Sequence, residues 1–455
     1  MSDLLSSTLP SNPQTVTSKL QLLVLSNGHG EDVIATRIIE ELQKLPNAPD
    51  IYALPIVGEG HAYRDLEIPL IGSVKSMPSG GFVYQDSREL VKDVKGGLIQ
   101  LTLSQIKAVR SWAKKQKKNG NKRAILAVGD IVPSLFAWTS GANYAFIGTA
   151  KSEYYVRDEA GMLQRTHKGA KWENFSGSIY HPWERWLMTH RHCRAVFPRD
   201  SLTTEILKKF KVPAYNLGNP MMDGLEPSRP TNRFYSTDAE REELERPLVI
   251  ALLPGSRSPE AFNNWQQIMI AVSAIMGSYR ERNNILHTSG TVVFLAGIAR
   301  SLDVNAFAQT IKSQGWRQHP MSEMPLKLPD GNAISFKQKN AYFILSHAYN
   351  DILHLGDFAI AMAGTATEQF VGLGKPAITI PGKGPQFTPG FAEAQSRHLG
   401  DSIILVKQPA EVAGKIQYLF ANPDRLHVIS QNGFRRMGKS GAARRIAECL
   451  MDRLG

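Results

Sequence analysis

The 455-residue chain is long for a single domain. At 42% hydrophobic and 21% charged residues, it carries enough apolar material for folded cores. Its formal net charge of +12 points to an anionic partner: nucleic acid, a membrane surface or a phosphorylated substrate. No zinc-finger, RNA-recognition or basic-zipper signature accompanies that charge, which sets nucleic acid aside. No apolar run reaches the ~20 residues of a membrane span, and Cys193 and Cys449 give neither a disulfide framework nor a zinc spacing.

Residues 1–18 read as a loose polar tail without a signal or transit pattern, so the expectation is a cytoplasmic protein, attached to a membrane at most peripherally. The first domain is expected over residues 19–225. It opens with an apolar strand, Leu22 to Leu25, and a turn, Asn27-Gly28-His29-Gly30. A helix follows, with Val33, Ile34, Ile38 and Leu42 on one face. Further strands are expected at Ile51–Ile56, Ala124–Val128, Tyr144–Ile147 and Ala195–Phe197, alternating with helical patterns. From Lys107 to Arg123 a helical stretch with Trp112 holds eight lysines and arginines and no acid. It is either a solvated face or a patch for an anionic membrane surface, with Phe82, Val83 and Tyr84 dipping in beside it. The histidines of His190-Arg191-His192-Cys193 fall on different faces of a helix, so no metal is expected there.

Residues 226–246, polar and proline-bearing, read as a linker. A second alternating block spans 247–422, with strands in PLVIALLPGSR, TVVFLAG and DFAIAMAGTATEQFVGLGKPAITIPG. The stretch 423–455 is helical and basic, and is expected to return to the first domain. The pattern gives an α/β protein of two Rossmann-like parallel-sheet domains facing a cleft.

Three loops carry chemistry. The acceptor-side loop Gly28-His29-Gly30-Glu31 is a tight turn before a helix N-terminus, and His29 in it is a candidate base. In Pro254-Gly255-Ser256-Arg257, Gly255 permits the turn, Ser256 offers a hydroxyl, and Arg257 either clamps a diphosphate or pairs with Glu260. In the third, Gly364, Thr365, Ala366 and Thr367 put hydroxyls and a helix N-terminus at one place.

These motifs together, PGSR, then GTATE with GKP and a strand ending in proline, resemble lipid-A-disaccharide synthase. More distantly they are similar to the N-acetylglucosaminyltransferase of peptidoglycan precursors, whose glycine loop with a histidine Gly28-His29-Gly30 resembles. The segments Ala195 to Asp200 and Val212 to Asp223 carry the resemblance through the first domain. It implies a GT-B fold and an inverting transfer without a bound metal. A UDP-sugar donor would be held as substrate by the second domain, with no cofactor, and a lipid acceptor by the first. It puts the family's functional aspartate at Asp130 and its ribose-binding glutamate on Gln369, with Glu368 the nearest acid. Gln386 is a further candidate contact to sugar or pyrophosphate. Asp130 and His29 stand equal as base. Two rival readings stay open: a nucleotide-sugar epimerase, and a binding protein that has lost catalysis.

Overall fold

The computed structural model describes residues 19–74, 98–165, 170–228, 246–281, 290–384 and 386–455. The predicted tail, the Phe82 loop and positions 229–245 of the predicted linker lie outside these residues.

Strand β1, Gln21–Ser26, is buried along its whole length. Leu22 and Val24 join one apolar cluster while Leu23 and Leu25 join another, as the alternation of a strand requires when both faces are covered. The chain continues through α1 (His29–Gln43), β2 (Asp50–Pro55), α2 (His61–Asp65), α3 (Leu98–Lys118), β3 (Arg123–Gly129), α4 (Ile131–Thr139) and β4 (Asn143–Gly148). Next come a small hairpin, β5 (Arg157–Asp158) and β6 (Gly161–Met162), then α5 (Ala170–Ser176), α6 (Pro182–Thr189), β7 (Cys193–Phe197) and α7 (Ser201–Lys209). Strands pair in the order β2-β1-β3-β4-β7, all parallel. All strand C-termini therefore open on one edge, where α/β sheets hold ligands.

The second half repeats the scheme: β8 (Leu248–Leu253), α8 (Glu260–Glu281), β9 (Val292–Gly297), α9 (Val304–Ser313), β10 (Arg317–Gln318), β11 (Ile334–Gln338), β12 (Ala341–Ser346) and α10 (Tyr349–Leu355). Then follow β13 (Phe358–Ala361), α11 (Thr365–Gly372), β14 (Ala377–Thr379), α12 (Pro389–Leu399), β15 (Ile403–Leu405) and α13 (Glu411–Phe420). The sheet order is β10-β11-β12-β9-β8-β13-β14-β15. Among the described strands of this sheet only β11 runs against the others, antiparallel to both β10 and β12, and this sheet-edge addition has no counterpart in the sequence reading.

Two helices close the chain, α14 (Pro423–Met437) and α15 (Ala442–Leu454). Helix α14 lies on α11 so closely that a Cβ on Gly433 would stand 2.2 Å from the Val371 carbonyl oxygen. Helix α15 crosses to the first domain, where Ala443, Ile446, Ala447 and Leu450 share a cluster with Ile34, Ile38 and Leu42 of α1. Asp223 fixes its start: Oδ1 accepts from the Ala442 amide at 3.1 Å and Oδ2 from that of Ala443 at 2.6 Å. A carboxylate on the exposed N–H groups of a helix start is the favourable sign of pairing.

One expectation fails locally. The His190–His192 segment is not helical, because α6 ends at Thr189 to let the chain enter β7. The two rings thereby come within 5.3 Å instead of diverging. Among the described residues, no cluster of three His, Cys, Asp or Glu side chains is arranged to hold a metal ion.

Candidate functional site

Five strand ends open on one edge of the first sheet, and the loops after β1, β3 and β4 meet there. Gly129 ends β3 with φ +134°, and a Cβ there would lie 2.0 Å from Asn27 Oδ1, so the position requires glycine. The close approach brings Asn27 onto the next residue. Asp130 Oδ1 accepts from Asn27 Nδ2 at 2.7 Å and from the Val132 amide at 2.8 Å, which makes it the N-cap of α4. Burial raises its pKa above the usual carboxylate value, those two bonds oppose the rise, and the charge of Glu31 adds to it. Glu31 Oε1 in turn accepts from Thr149 Oγ1 at 3.2 Å. Asn27, Glu31, Asp130 and Thr149 thus form one polar cluster over the ends of β1, β3 and β4.

His29, the first residue of α1, is exposed, as is Gly30, while Gly28 is the buried N-cap. Behind the loop, Asp32 is buried. It accepts from Ser26 Oγ at 2.6 Å, and Ser26 Oγ also meets the Tyr63 hydroxyl at 2.6 Å. Burial pushes the Asp32 carboxyl up to about 6, against the opposing Ser26 bond.

The second sheet presents its own edge. Strands β8, β13 and β14 are neighbours, so the loops that follow them stand side by side. Three buried side chains tie these loops together. Asn264 Nδ2 donates to the Pro254 carbonyl at 3.0 Å and to that of Met362 at 3.1 Å, joining the first loop to the second. Gln395 Nε2 donates to the carbonyls of Ala363 and Gly364, both at 3.2 Å. Glu260 Oε1 accepts from the amides of Gln386 at 3.1 Å and Phe387 at 2.6 Å, which fixes the third. Gly255 turns the first loop at φ +98°, leaving Ser256 and Arg257 exposed, with Thr365 exposed at the start of α11. Exposed cation, hydroxyl and helix N-terminus on neighbouring loops make an arrangement suited to a diphosphate.

Other sequence-predicted donor groups are occupied elsewhere. Thr367 is fully buried and its hydroxyl donates to the carbonyl of Ala363, just before its own helix. Gln369 spans two elements, accepting from the Tyr349 hydroxyl at 2.6 Å and donating to the Met221 carbonyl at 2.8 Å. Glu368 turns toward the first domain: its Oε2 accepts from Arg199 at 2.6 Å. All three lie on the buried side of α11, whereas Thr365 and Ala366 reach its accessible end.

Arg199 is the joint between the halves. One arm of its guanidinium donates to the Thr149 carbonyl at 3.0 Å, the other to Glu368. Burial works against its charge, but Glu368 beside it outweighs burial and keeps it charged. Next to the pair sits His398, wholly buried, its ring stacked on Tyr155 at 4.7 Å and neither nitrogen hydrogen-bonded. Burial, then the charges of Arg199, Arg436 and Arg397, hold its pKa well below the ordinary value, so the ring is neutral. Thr149, Asn264 and Gln395 were not singled out from the sequence, whereas Asn27 appeared there only as the first residue of the turn before α1 and Arg199 only within the Ala195–Asp200 segment.

No protein-family profile matches the chain, and no curated protein sequence matches it. Solved structures do. The calicheamicin glycosyltransferase CalG4 is 13% identical with a TM-score of 0.53, over 96% of this chain and 98% of that one. A provisional UDP-N-acetylglucosamine 2-epimerase from Listeria monocytogenes is 12% identical with a TM-score of 0.54, over 96% of both chains. S. aureus MnaA in complex with UDP is 10% identical with a TM-score of 0.51, over 96% of this chain and 97% of that one. At such identities the likeness is one of fold: two Rossmann-like domains in the GT-B arrangement.

Proposed function

We propose that this chain is an inverting glycosyltransferase, related to lipid-A-disaccharide synthase, that moves a sugar from a UDP-sugar to a hydroxyl of a lipid acceptor. The observation that carries the reading is the joint at Arg199. It ties the Thr149 backbone, beside the Glu31 and Asp130 carboxylates, to the first turn of α11, the start of the proposed diphosphate site. A proton acceptor on one domain and anion-stabilising groups on the other are what a single displacement needs.

In that step the acceptor oxygen attacks the anomeric carbon as Asp130 takes its proton. The bond from that carbon to the diphosphate oxygen breaks, and the sugar inverts. Negative charge develops on UDP, where Arg257, the Thr365 hydroxyl and the α11 N-terminus stabilise it. Ribose contact falls to groups other than Glu368 and Gln369 in this domain arrangement, since both are engaged.

The experiment is a panel of UDP-sugars incubated with and without a glycolipid acceptor, the products resolved by NMR. Transfer with UDP release supports the reading. Inversion at C2 of the sugar without an acceptor would assign the chain to the epimerases that share its fold, and UDP binding without turnover would make it a binding protein. Arg257→Ala checks the donor half separately. It should weaken UDP binding by about 1.5–3 kcal/mol in calorimetry, the worth of a charge-assisted hydrogen-bonded group. Unchanged binding by a folded variant removes Arg257 from the site.

A further inference from the structure

Asp130 meets its partners with one oxygen only. Oδ1 accepts from Asn27 Nδ2 at 2.7 Å and from the Val132 amide at 2.8 Å. Oδ2 accepts no hydrogen bond among the described residues, yet it is not one of the buried unpaired atoms, so it is open to solvent. The two donors differ in kind. Val132 belongs to α4, and its bond comes with the helix cap itself. Asn27 stands just after β1, 103 positions earlier in the chain, and is no part of that cap.

Asn27 is held there at a cost. Its side chain is buried, and its Oδ1 has no donor. A buried acceptor left unpaired lowers stability. The same oxygen lies against Gly129, where a Cβ would stand 2.0 Å away and the backbone adopts a φ of +134°. A glycine and an unpaired oxygen are thus both needed to aim one N–H at Asp130. Turning the amide over would set its oxygen against the Asp130 oxygen, acceptor to acceptor.

We propose that Asn27 is a positioning residue for the base: its N–H occupies Asp130 Oδ1 and so reserves Oδ2 for the proton of the attacking hydroxyl. One donor alone, Val132, leaves the carboxylate free to swing about its last bond. A second donor from another element stops the swing, and a base held in place before the acceptor arrives needs no ordering by it. In the step, Oδ2 gains the proton as the acceptor oxygen bonds to the anomeric carbon, while both N–H groups stay on Oδ1. The same N–H favours the ionised base. Burial is the main push toward the protonated form, and the carboxylates of Glu31 on α1 and Glu184 on α6 push the same way. Helix α4 has no charged side chain, His29 is exposed at the head of α1, Lys151 pairs with Glu184, and Arg199 with Glu368. The N–H groups of Val132 and Asn27 are what oppose the rise. The part Asn27 plays in transfer rests on the transferase reading above, while its hold on Asp130 does not.

The test compares the full chain with Asn27→Ala, which removes the amide, and Asn27→Asp, which keeps its shape but puts an acceptor where the donor was. The first readout uses no donor or acceptor substrate. With the aspartate side-chain carboxyls labelled in carbon-13, the Asp130 signal, identified by its loss in Asp130→Asn, is titrated by NMR. Its midpoint should move up by about one pH unit in Asn27→Ala, the worth of a charge-assisted hydrogen bond, and at least as far in Asn27→Asp. The second readout is transfer from a UDP-sugar to a glycolipid acceptor. Measured above the acidic limb, kcat should fall at least about tenfold in Asn27→Ala and further in Asn27→Asp, with acceptor KM and UDP affinity within about twofold. The acidic limb should follow the NMR midpoint. A residue that only tied β1 to β3 would change Tm and leave midpoint and limb where they are. An unmoved midpoint in both variants overturns the inference, and so does a moved midpoint with kcat unchanged. Should Asn27→Ala not fold, Asn27→Asp, which fills the same space, carries both readouts. If the natural protein transfers no sugar, the transferase reading falls, and the midpoint alone decides whether Asn27 holds Asp130.

Discussion

Asp130 and His29 looked equivalent in the sequence, as both follow strands on the same sheet edge. The structure separates them by how firmly each is held. Two hydrogen bonds fix Asp130 at the head of α4, whereas His29 is exposed on the first turn of α1. A base oriented before the substrate arrives outperforms one that must be ordered by it. Asp130→Asn should therefore lower transfer at least about 100-fold with UDP affinity nearly intact, and His29→Ala should cost much less. The acidic limb of the rate should lie above the usual carboxylate range, in the direction of the Asp130 shift, and persist in His29→Ala. Full activity of Asp130→Asn removes it as the base. Asp32 gives a stability counterpart with a definite sign. Its folded-state value, about 6 against an ordinary 3.8, means the native state holds the proton more tightly than the unfolded chain does. Stability is thus lost as pH rises from about 4 to about 6, and the loss is complete above that. In Asp32→Asn the amide oxygen still accepts from Ser26 but does not ionise. The Tm advantage of the variant over the natural protein should widen across that window and then level off, and a flat difference would remove the buried-carboxylate cause.

At the scale of elements, the final helix belongs to the first sheet. Leu450, 1% exposed, packs in the cluster that holds Ile34 and Ile38, so α15 covers α1 from the far end of the chain. Leu450→Ala should destabilise the first domain by about 2–5 kcal/mol, the range for a cavity of that size, as read by chemical denaturation with a probe on that domain. An unchanged midpoint would mean α15 is not needed there. The strands were legible because a parallel sheet covered on both faces demands short, unbroken apolar runs, and LQLLVLS, RAILAVG and PLVIALL are such runs closed by glycine, proline or polar residues. The glycine turns were legible for the same reason. Asn264 and Gln395 were not, because a polar residue within a helix reads as solvent-facing unless its distant carbonyl partners are known. The exposed tryptophans stayed hidden too: Trp183 and Trp186, three apart on a helix, are spaced like core residues, and only the packing shows them on the outer side.

For the whole molecule, what counts is how the two sheets are held edge to edge, and none of the pairings that do it is local. Arg199 and Glu368 are 169 positions apart, Gln369 and the Met221 carbonyl 148, Arg397 and the Tyr155 carbonyl 242. Glu368 read as a ligand group because it is the acid nearest Gln369, where the resemblance puts a ribose-binding glutamate; the sequence does not show that an arginine from the other domain reaches it first. The buried pair makes the arrangement depend on charge. Removing one member strands the other without water, a penalty of about 3–5 kcal/mol that the protein avoids by opening the joint, whereas replacing both by apolar groups of similar size is close to neutral. Arg199→Leu should therefore separate the domains and raise the radius of gyration in solution scattering, because a lone Glu368 carboxylate would seek water. Glu368→Gln should open the joint less, since the amide oxygen still accepts from Arg199. Arg199→Leu combined with Glu368→Leu should return toward the closed dimensions, the non-additivity that marks a direct pair. If Arg199→Leu scatters like the natural protein, the ion pair does not hold the halves together, and the Tyr155–His398 stack with the Arg397–Tyr155 and Gln369–Met221 bonds must carry the joint instead.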